Sequence, residues 1–277
     1  MFGKTCAVTA VVAVVTYLVV KHLRRRAKRK RLLGTPFPEE WKQIVAKNVP
    51  LFKRLPEALK DELGGLVNLF VAEKNFEGCG GLEITDKIRV TIAAQACMLL
   101  LNRKAARFRK LRTILVYPHT YAAKMVSSDG NITIEGQSVR LGESWQNGPV
   151  VLAWDSVTGG TANIADARNV VLHEFAHQLD QEDGAADGAP ILEHRSSYVA
   201  WARVLGEEYE ALQNKRKRHG RSVMNKYGAT NPAEFFAVAT ETFFEKAKQM
   251  KKKHPALYDE MKDYYKLDPI EWEQADR

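Results

Sequence analysis

The stretch that decides the fold is "NVVLHEFAHQLD", residues 169–180, where two histidines lie four residues apart and a glutamate follows the first. Asp166 before it and Gly184 after it are typical of a helix start and a helix end. His173 and His177 then lie one above the other on one face, where both imidazoles can reach one ion. A separate apolar stripe docks the helix on the core and consists of Val171, Leu172, Phe175, Ala176 and Leu179.

The glutamate of this motif fits a catalytic rather than a structural metal site. Glu174 is rotated by about 100° from His173, which keeps it out of the ligand set but near a water on the metal. The same spacing can arise by chance on an amphipathic helix, but two histidines beside buried apolar residues would then lack compensation for their burial. The motif therefore predicts one bound Zn²⁺ ion.

A catalytic zinc ion needs a third protein ligand and keeps its fourth position for water. His194 in "ILEHRSSYVAW" is one candidate. The better candidate is Glu234 in "YGATNPAEFFAVATETFFE", where Asn231 caps a helix and Pro232 fills its first position. Glu234 could instead partner the Asn231 amide in a capping box, and spacing alone leaves both roles open. Coordination would remove the penalty of burying a carboxylate in so apolar a helix.

Two further carboxylates lie at helical spacing from the predicted ligands. Glu241 follows Glu234 by two turns, and we interpret it as an outer neighbour of the site or as a surface residue. Asp180 follows His177 by three residues, near a helix C-terminus where the helix dipole disfavours a carboxylate. Asp180 either binds a ligand imidazole or is exposed, and we leave it outside the predicted site.

The chain before this helix changes character along its length. Apolar positions predict two or three short helices from residue 37 and a buried helix that begins at Thr85 or Asp86. The glycine-rich segment between them lacks the Gly-Lys-Ser/Thr ending of a phosphate loop and is expected to be a turn. Three β-rich segments follow, "TILVYP", "ITIEGQSVRL" and "GPVVLAWDSV".

Strands between two helical blocks predict an α+β domain. Its parts are N-terminal helices over 37–110, a small mixed sheet over 113–157 and the active-site helices with a C-terminal helical part over 165–277. The segment "GPVVLAW", 148–154, is expected to be an edge strand that holds an extended peptide, and the alternative is an ordinary strand of the sheet.

Charge and cysteine usage limit the functional classes. The net charge is +9, but nine cations lie within the first 31 residues, and the other 33 basic residues match the 33 acidic ones. A broad basic face is therefore not indicated, and we expect no direct nucleic-acid binding. Three cysteines without disulfide or metal-ligand spacing are expected to be buried or idle thiols.

The first 31 residues combine an apolar segment with a basic run. Residues 5–20 are uncharged and mostly apolar, and with their flanks they are long enough to span a bilayer. The run "KHLRRRAKRKR" behind them would keep the body on the cytoplasmic side. A cleaved signal peptide or an organelle presequence fits less well. We expect a transmembrane helix and basic flank over 1–31 and a folded body over 32–277 at the cytoplasmic face of a membrane, the alternative being a cytoplasmic protein.

The combined motifs resemble a known family. "HEFAHQLD" followed by "NPAEFFAVATETFFE" is similar to the Mlc titration factor A family of zinc peptidases, and the likeness covers roughly residues 37–270. "YGATNPAEFFA" is also similar to the catalytic domain of anthrax lethal factor, which implies a zincin-like fold of the gluzincin type. The resemblance implies His173, His177 and Glu234 as zinc ligands, Glu174 as catalytic base and Tyr227 as an active-site tyrosine.

The same resemblance implies a function. The family is associated with aminopeptidase-type hydrolysis of peptides and with binding a glucose-responsive transcriptional repressor that controls sugar uptake. We therefore expect a zinc metallopeptidase, and the alternative is a regulatory module that sequesters a transcription factor around a structural or vestigial zinc site. Two features depart from the usual soluble members, the N-terminal segment and the basic run "NKRKRHGR" at 214–221.

Overall fold

The computed structural model describes residues 2–103, 108–124, 137–140, 142–144, 148–162 and 168–272. Helices dominate this part of the chain. They are α1 (Phe2–Leu33), α2 (Glu39–Asn48), α3 (Pro50–Arg54), α4 (Glu57–Glu73), α5 (Asp86–Met98), α6 (Trp154–Ala162), α7 (Val170–Asp180), α8 (Ser197–Lys217), α9 (Pro232–Glu245), α10 (Ala247–Lys253), α11 (Pro255–Tyr265) and α12 (Pro269–Trp272). A short 3₁₀ helix, Lys226–Ala229, precedes α9.

The strands are short and form one small sheet and one separate pair. They are β1 (Asn75–Gly78), β2 (Thr113–Tyr117), β3 (Tyr121–Lys124), β4 (Gln137–Arg140), β5 (Gly142–Ser144) and β6 (Val150–Ala153). The order in the sheet is β1-β2-β6-β5, where β1, β2 and β6 are parallel and β5 is antiparallel to β6, while β3 pairs with β4. A mostly helical fold with a small sheet replaces the predicted α+β class, because strands of three to five residues leave most of the core to helices.

The sheet also corrects the expected edge strand. β6, within "GPVVLAW", lies between β2 and β5, so the prediction that it forms an edge is wrong. All four of its residues are buried, as is usual for a strand covered on both faces. The edge on this side of the sheet is β5, which lies beside α7.

The predicted transmembrane anchor is a further correction. Among the residues that the structure describes, no helix is both long and apolar enough to cross a bilayer. A span needs about 20 consecutive apolar residues, whereas α1 continues through the basic run to the folded body. There Arg29 pairs with Glu73 of α4, with 2.5 Å between Nε and Oε1, and Asn68 donates to the carbonyl of Thr35. The prediction of a transmembrane helix over 1–31 is therefore wrong.

Aromatic side chains fix α7 in the core. Phe175 of α7 lies against Phe108 and Phe70, with ring centroids 4.8 and 5.7 Å apart. On the other side α7 packs along α9, whose Phe236 lies against Trp201 of α8 at 5.8 Å. Both faces of the histidine helix are therefore held by rigid neighbours, which fixes its rotation about its own axis.

Several local predictions are confirmed. Three helices lie between residues 39 and 73, and the hydroxyl of Thr85 caps α5 by accepting from the backbone N–H of Ile88 at 3.4 Å. Gly80 and Gly81 have φ values of +60° and +82°, as expected for a glycine turn. Asp166, the predicted cap of α7, lies outside the described residues, and Asn169 caps this helix by accepting from Leu172 N–H at 3.0 Å.

Gly188 joins the end of α7 to the start of α9. Its N–H donates to Asp180 Oδ2 at 3.1 Å, and its carbonyl accepts from Trp201 Nε1 at 3.0 Å. Its φ is +79°, and a Cβ at this position would lie 2.5 Å from the carbonyl oxygen of Pro232. The position therefore requires glycine for both its conformation and its close approach to α9.

Substituting this glycine should loosen the junction between α7 and α9. We expect Gly188→Ala to lower the free energy of unfolding by about 1–3 kcal/mol, since it adds a strained φ and a backbone clash. Gly206→Ala in α8 is the control, because no atom lies within 4 Å of its Cβ and helix propensity should raise stability by about 0.5–1 kcal/mol. Urea denaturation of both variants measures the difference, and equal stabilities would contradict the assigned role of Gly188.

Candidate metal centre

Two helices bring three potential ligands together. His173 and His177 come from α7 and Glu234 from α9, and one donor atom of each lies within 4.8 Å of the other two. Oε2 of Glu234 is 3.0 Å from Nε2 of His173 and 3.5 Å from Nε2 of His177. Two imidazole nitrogens and one carboxylate oxygen are the donor set of catalytic zinc sites, so these residues fit a zinc ion. His194 is exposed and outside this group.

Glu234 is held at the helix start by the Asn231 cap, while its carboxylate lies against the imidazoles and not on the Asn231 amide. Its backbone N–H donates to the Asn231 side chain at 2.8 Å, so Asn231 caps α9 as predicted and Pro232 occupies the first turn. Its carboxylate lies against the imidazoles. The cap therefore fixes the backbone of Glu234 at the helix start, and the side chain remains available to the site.

Glu241 forms the layer behind His173. It is buried, Oε1 lies 2.6 Å from Nδ1 of His173, and Oε2 accepts from the backbone N–H of Asn169 at 2.8 Å. A proton on Nδ1 that is donated to Glu241 leaves the lone pair of Nε2 free for a metal. Of the two roles left open by the sequence, Glu241 is therefore an outer neighbour of the site and not a surface residue.

Asn169 and Glu245 belong to the hydrogen bonds behind the site, and the sequence analysis did not identify them. Besides capping α7, Asn169 donates from Nδ2 to Oε1 of Glu245 at 3.2 Å. Glu234, Glu241 and Glu245 are spaced by seven and four residues, which places all three on one face of a helix. That spacing was visible in the sequence and could have indicated the whole set.

Asp180 is buried, so the exposed position, one of the two alternatives for this residue, is wrong. Its carboxylate accepts from Gly188 N–H, and burial raises its pKa to about 6. The residue therefore holds the loop that leads from α7 towards the start of α9.

Glu174 and Tyr227 lie beside the three potential ligands. Glu174 is buried and next to His173 on α7, and its charge contributes to raising the pKa of both His173 and Tyr227. Tyr227 lies on the 3₁₀ helix with 53% of its surface exposed, and its hydroxyl donates to Oε1 of Glu234 at 3.4 Å. Partial burial and the Glu234 charge raise the pKa of Tyr227 to about 12, so its hydroxyl stays protonated near neutral pH.

The metal-free site favours an ionised pair. Burial opposes the charge of Glu234, but hydrogen bonds from His173 and His177 outweigh it and hold the Glu234 pKa well below its usual range. Burial also opposes protonation of His173, but Glu234 and Glu241 outweigh it and raise the His173 pKa well above its usual range. A metal must therefore displace a proton from His173, so metal affinity should fall as the pH is lowered.

Comparison of the sequence with known proteins finds a matching family and similar chains. Residues 23–266 match the family described as glucose-regulated metallo-peptidase M90. The chain is 39% identical over 245 residues to an uncharacterized protein of Synechocystis sp., covering 88% of this chain and 89% of that protein. It is 29% identical over 244 residues to Mlc titration factor A of Yersinia pestis, covering 85% and 88% of the two chains. The chain therefore belongs to the glucose-regulated metallo-peptidase M90 family.

Proposed function

We propose that the chain is a zinc-dependent peptidase, aminopeptidase-like in its reaction, that hydrolyses peptide bonds with Glu174 as general base. The observation that carries the proposal is the convergence of His173, His177 and Glu234 on one point beside Glu174. A purely structural zinc site has no need of a neighbouring base, whereas a catalytic one keeps three protein ligands and an open position.

Each residue has a role in this reaction. When bound, zinc would supply Lewis acidity that polarises the scissile carbonyl and makes water more acidic. Glu174 accepts the proton of the attacking water and passes it to the leaving amine. The Tyr227 hydroxyl, protonated near neutral pH, donates a hydrogen bond to the oxygen that becomes negative in the transition state.

The substrate backbone needs a partner beside the metal. β5 is the edge strand next to α7, so the role expected for "GPVVLAW" passes to β5. An extended peptide that adds to β5 as a further strand would run beside α7.

The first test removes the base and keeps the ligands. We expect Glu174→Gln to bind zinc with unchanged stoichiometry and to lose at least about 100-fold in peptide hydrolysis, since proton transfer is lost. Glu207→Gln, an exposed change on α8, is the control and should keep full activity. Metal analysis and a peptide-library assay, each with and without a chelator, measure both properties. Undiminished hydrolysis by Glu174→Gln would exclude the assigned base.

The second test concerns the metal itself. His177→Ala should abolish stoichiometric zinc binding, because it removes one of three ligands. Glu241→Gln should weaken zinc binding by about 10- to 100-fold, since a single amide oxygen cannot serve both His173 and the Asn169 N–H and carries no charge. His194→Ala is the control and should bind zinc like the wild type. Competition with a fluorescent chelator measures the affinities, and an unchanged value for His177→Ala would contradict its role.

A second role, as a regulatory binding module, is favoured by the name Mlc titration factor A that curated relatives carry. Under this proposal the chain binds a transcriptional repressor of the Mlc type whether or not it hydrolyses peptides. Purified Mlc protein should then bind Glu174→Gln as tightly as it binds the wild type in a calorimetric titration. Absence of binding to both forms would exclude this role, and binding by both forms is compatible with the peptidase.

A further inference from the structure

A basic surface lies beside the candidate metal centre and has no part in the roles assigned above. Residues 213–233, between Leu212 of α8 and Glu234, contain six Lys and Arg residues and no Asp or Glu. We name as the basic rim Lys215, Arg216, Lys217, Arg218, Arg221 and Lys226. In the described part of the chain, the ion pairs of α8 involve Glu207 and Glu208, and no rim cation lies within ion-pair distance of a carboxylate.

Contacts connect the basic rim to the site. Arg216 donates from Nη1 to the Thr230 hydroxyl at 3.4 Å, and this hydroxyl donates to the Tyr227 carbonyl at 2.7 Å. Tyr227 reaches Glu234 through its own hydroxyl. The end of α8 also packs on the 3₁₀ helix, since a Cβ on Gly228 would lie 3.3 Å from Cδ2 of Leu212. The rim is therefore built onto the element that carries Tyr227.

Stabilisation of α8 explains only part of this charge. Cations in the last turn of a helix interact favourably with its dipole, which accounts for Lys215, Arg216 and Lys217. Arg218, Arg221 and Lys226 lie beyond the last residue of α8, and the basic character continues through them to Tyr227. Arg216, Lys217, Arg218 and Arg221 are exposed, so their charges face solvent.

A second loop reaches the start of α9 with the opposite charge. It runs from residue 181 to residue 190, carries Glu182, Asp183 and Asp187, and touches Pro232 through Gly188. Acidic residues of the chain therefore lie on the Gly188 side of the helix start, and basic residues lie on the Tyr227 side. A substrate would meet the positive side only where it passes Tyr227.

We infer that the basic rim selects peptide substrates that carry acidic side chains on the Tyr227 side of the scissile bond. This inference rests on the proposed peptidase function and adds the substrate class to it. Exposed ion pairs are individually weak, but several cations of one sign raise the local concentration of an anionic segment and its rate of association. Such selection is screened by salt.

The test compares peptides that differ in one charge. Alanine-rich hexapeptides carry one Glu at successive positions, and each is compared with its Gln counterpart on zinc-loaded full-length protein. We expect one or two adjacent positions at which Glu raises kcat/KM by about 3- to 10-fold in about 50 mM NaCl, with a ratio near one in about 500 mM NaCl. A ratio near one at every position in low salt would overturn the inference.

Charge-neutralising variants locate the effect. Lys217→Gln combined with Arg218→Gln should lower the Glu/Gln ratio towards one. Lys252→Gln combined with Lys253→Gln removes the same charge beyond the C-terminal end of α9, which lies roughly 20 Å from the helix start that carries Glu234. This control should leave the Glu/Gln ratio unchanged. Both peptides are measured on one preparation, so any loss of folded protein cancels in the ratio. Equal losses in the two double variants would assign the effect to net charge and overturn the inference.

Binding separates this inference from the proposed function. The zinc-loaded Glu174→Gln variant is titrated with the same labelled peptide pair, and fluorescence anisotropy should show the same preference for Glu without any hydrolysis. If no peptide is cleaved but this preference is present, the peptidase proposal fails and the basic rim stands. A short oligonucleotide of equal charge is the comparison ligand, and tighter binding of the oligonucleotide than of the acidic peptide would overturn the assignment to peptides.

Discussion

The packing of α9 against α7 is the constraint on which the rest of the structure depends. It places three carboxylates, Glu234, Glu241 and Glu245, against the first turns of α7. Buried carboxylates are unfavourable unless hydrogen-bond donors or cations contact them. Here the contacts come from His173 of α7 and from the backbone N–H and the side-chain amide of Asn169, the cap of α7. The packing of the two helices and the candidate metal centre therefore depend on the same contacts, because the groups that compensate the buried charge also orient the side chains of this centre.

Local signals predict the two imidazoles and the helix start that carries Glu234, but not that the two helices meet. His173, Glu174 and His177 lie within one helix, so their spacing alone predicts their arrangement. Asn231 and Pro232 are typical of a helix start, and this start positions Glu234. Caps and spacing operate over three or four residues, so the sequence carries them directly. The meeting of the two helices is not local, since Glu234 lies 61 residues after His173. Resemblance to a family supplied that contact, and spacing alone had left Glu234 with two possible roles.

Non-local features account for the wrong predictions. β6 has the composition of any apolar strand, and its interior place depends on β5 adding to the sheet beside it. Asp180 looks exposed from its helix position, but a loop with a left-handed glycine folds back to bury it. The prediction of a membrane span before residue 32 rests on apolar length and flanking charge. In the structure α1 extends to the folded body, where Arg29 pairs with Glu73. In each case the outcome depends on a distant partner that the local pattern does not specify.

The net charge, too, does not specify where the fold places the individual charges. The body after residue 31 has equal numbers of acidic and basic residues, which predicts that it has no broad basic face. This balance is a total over charged groups that the fold places apart. The buried carboxylates of α9 lie behind the imidazoles, whereas the basic rim lies near Tyr227 on the solvent side. Buried charges set the protonation of the ligands, and exposed charges act on what approaches from solvent. A neutral total is therefore compatible with a site whose inner and outer layers have opposite sign.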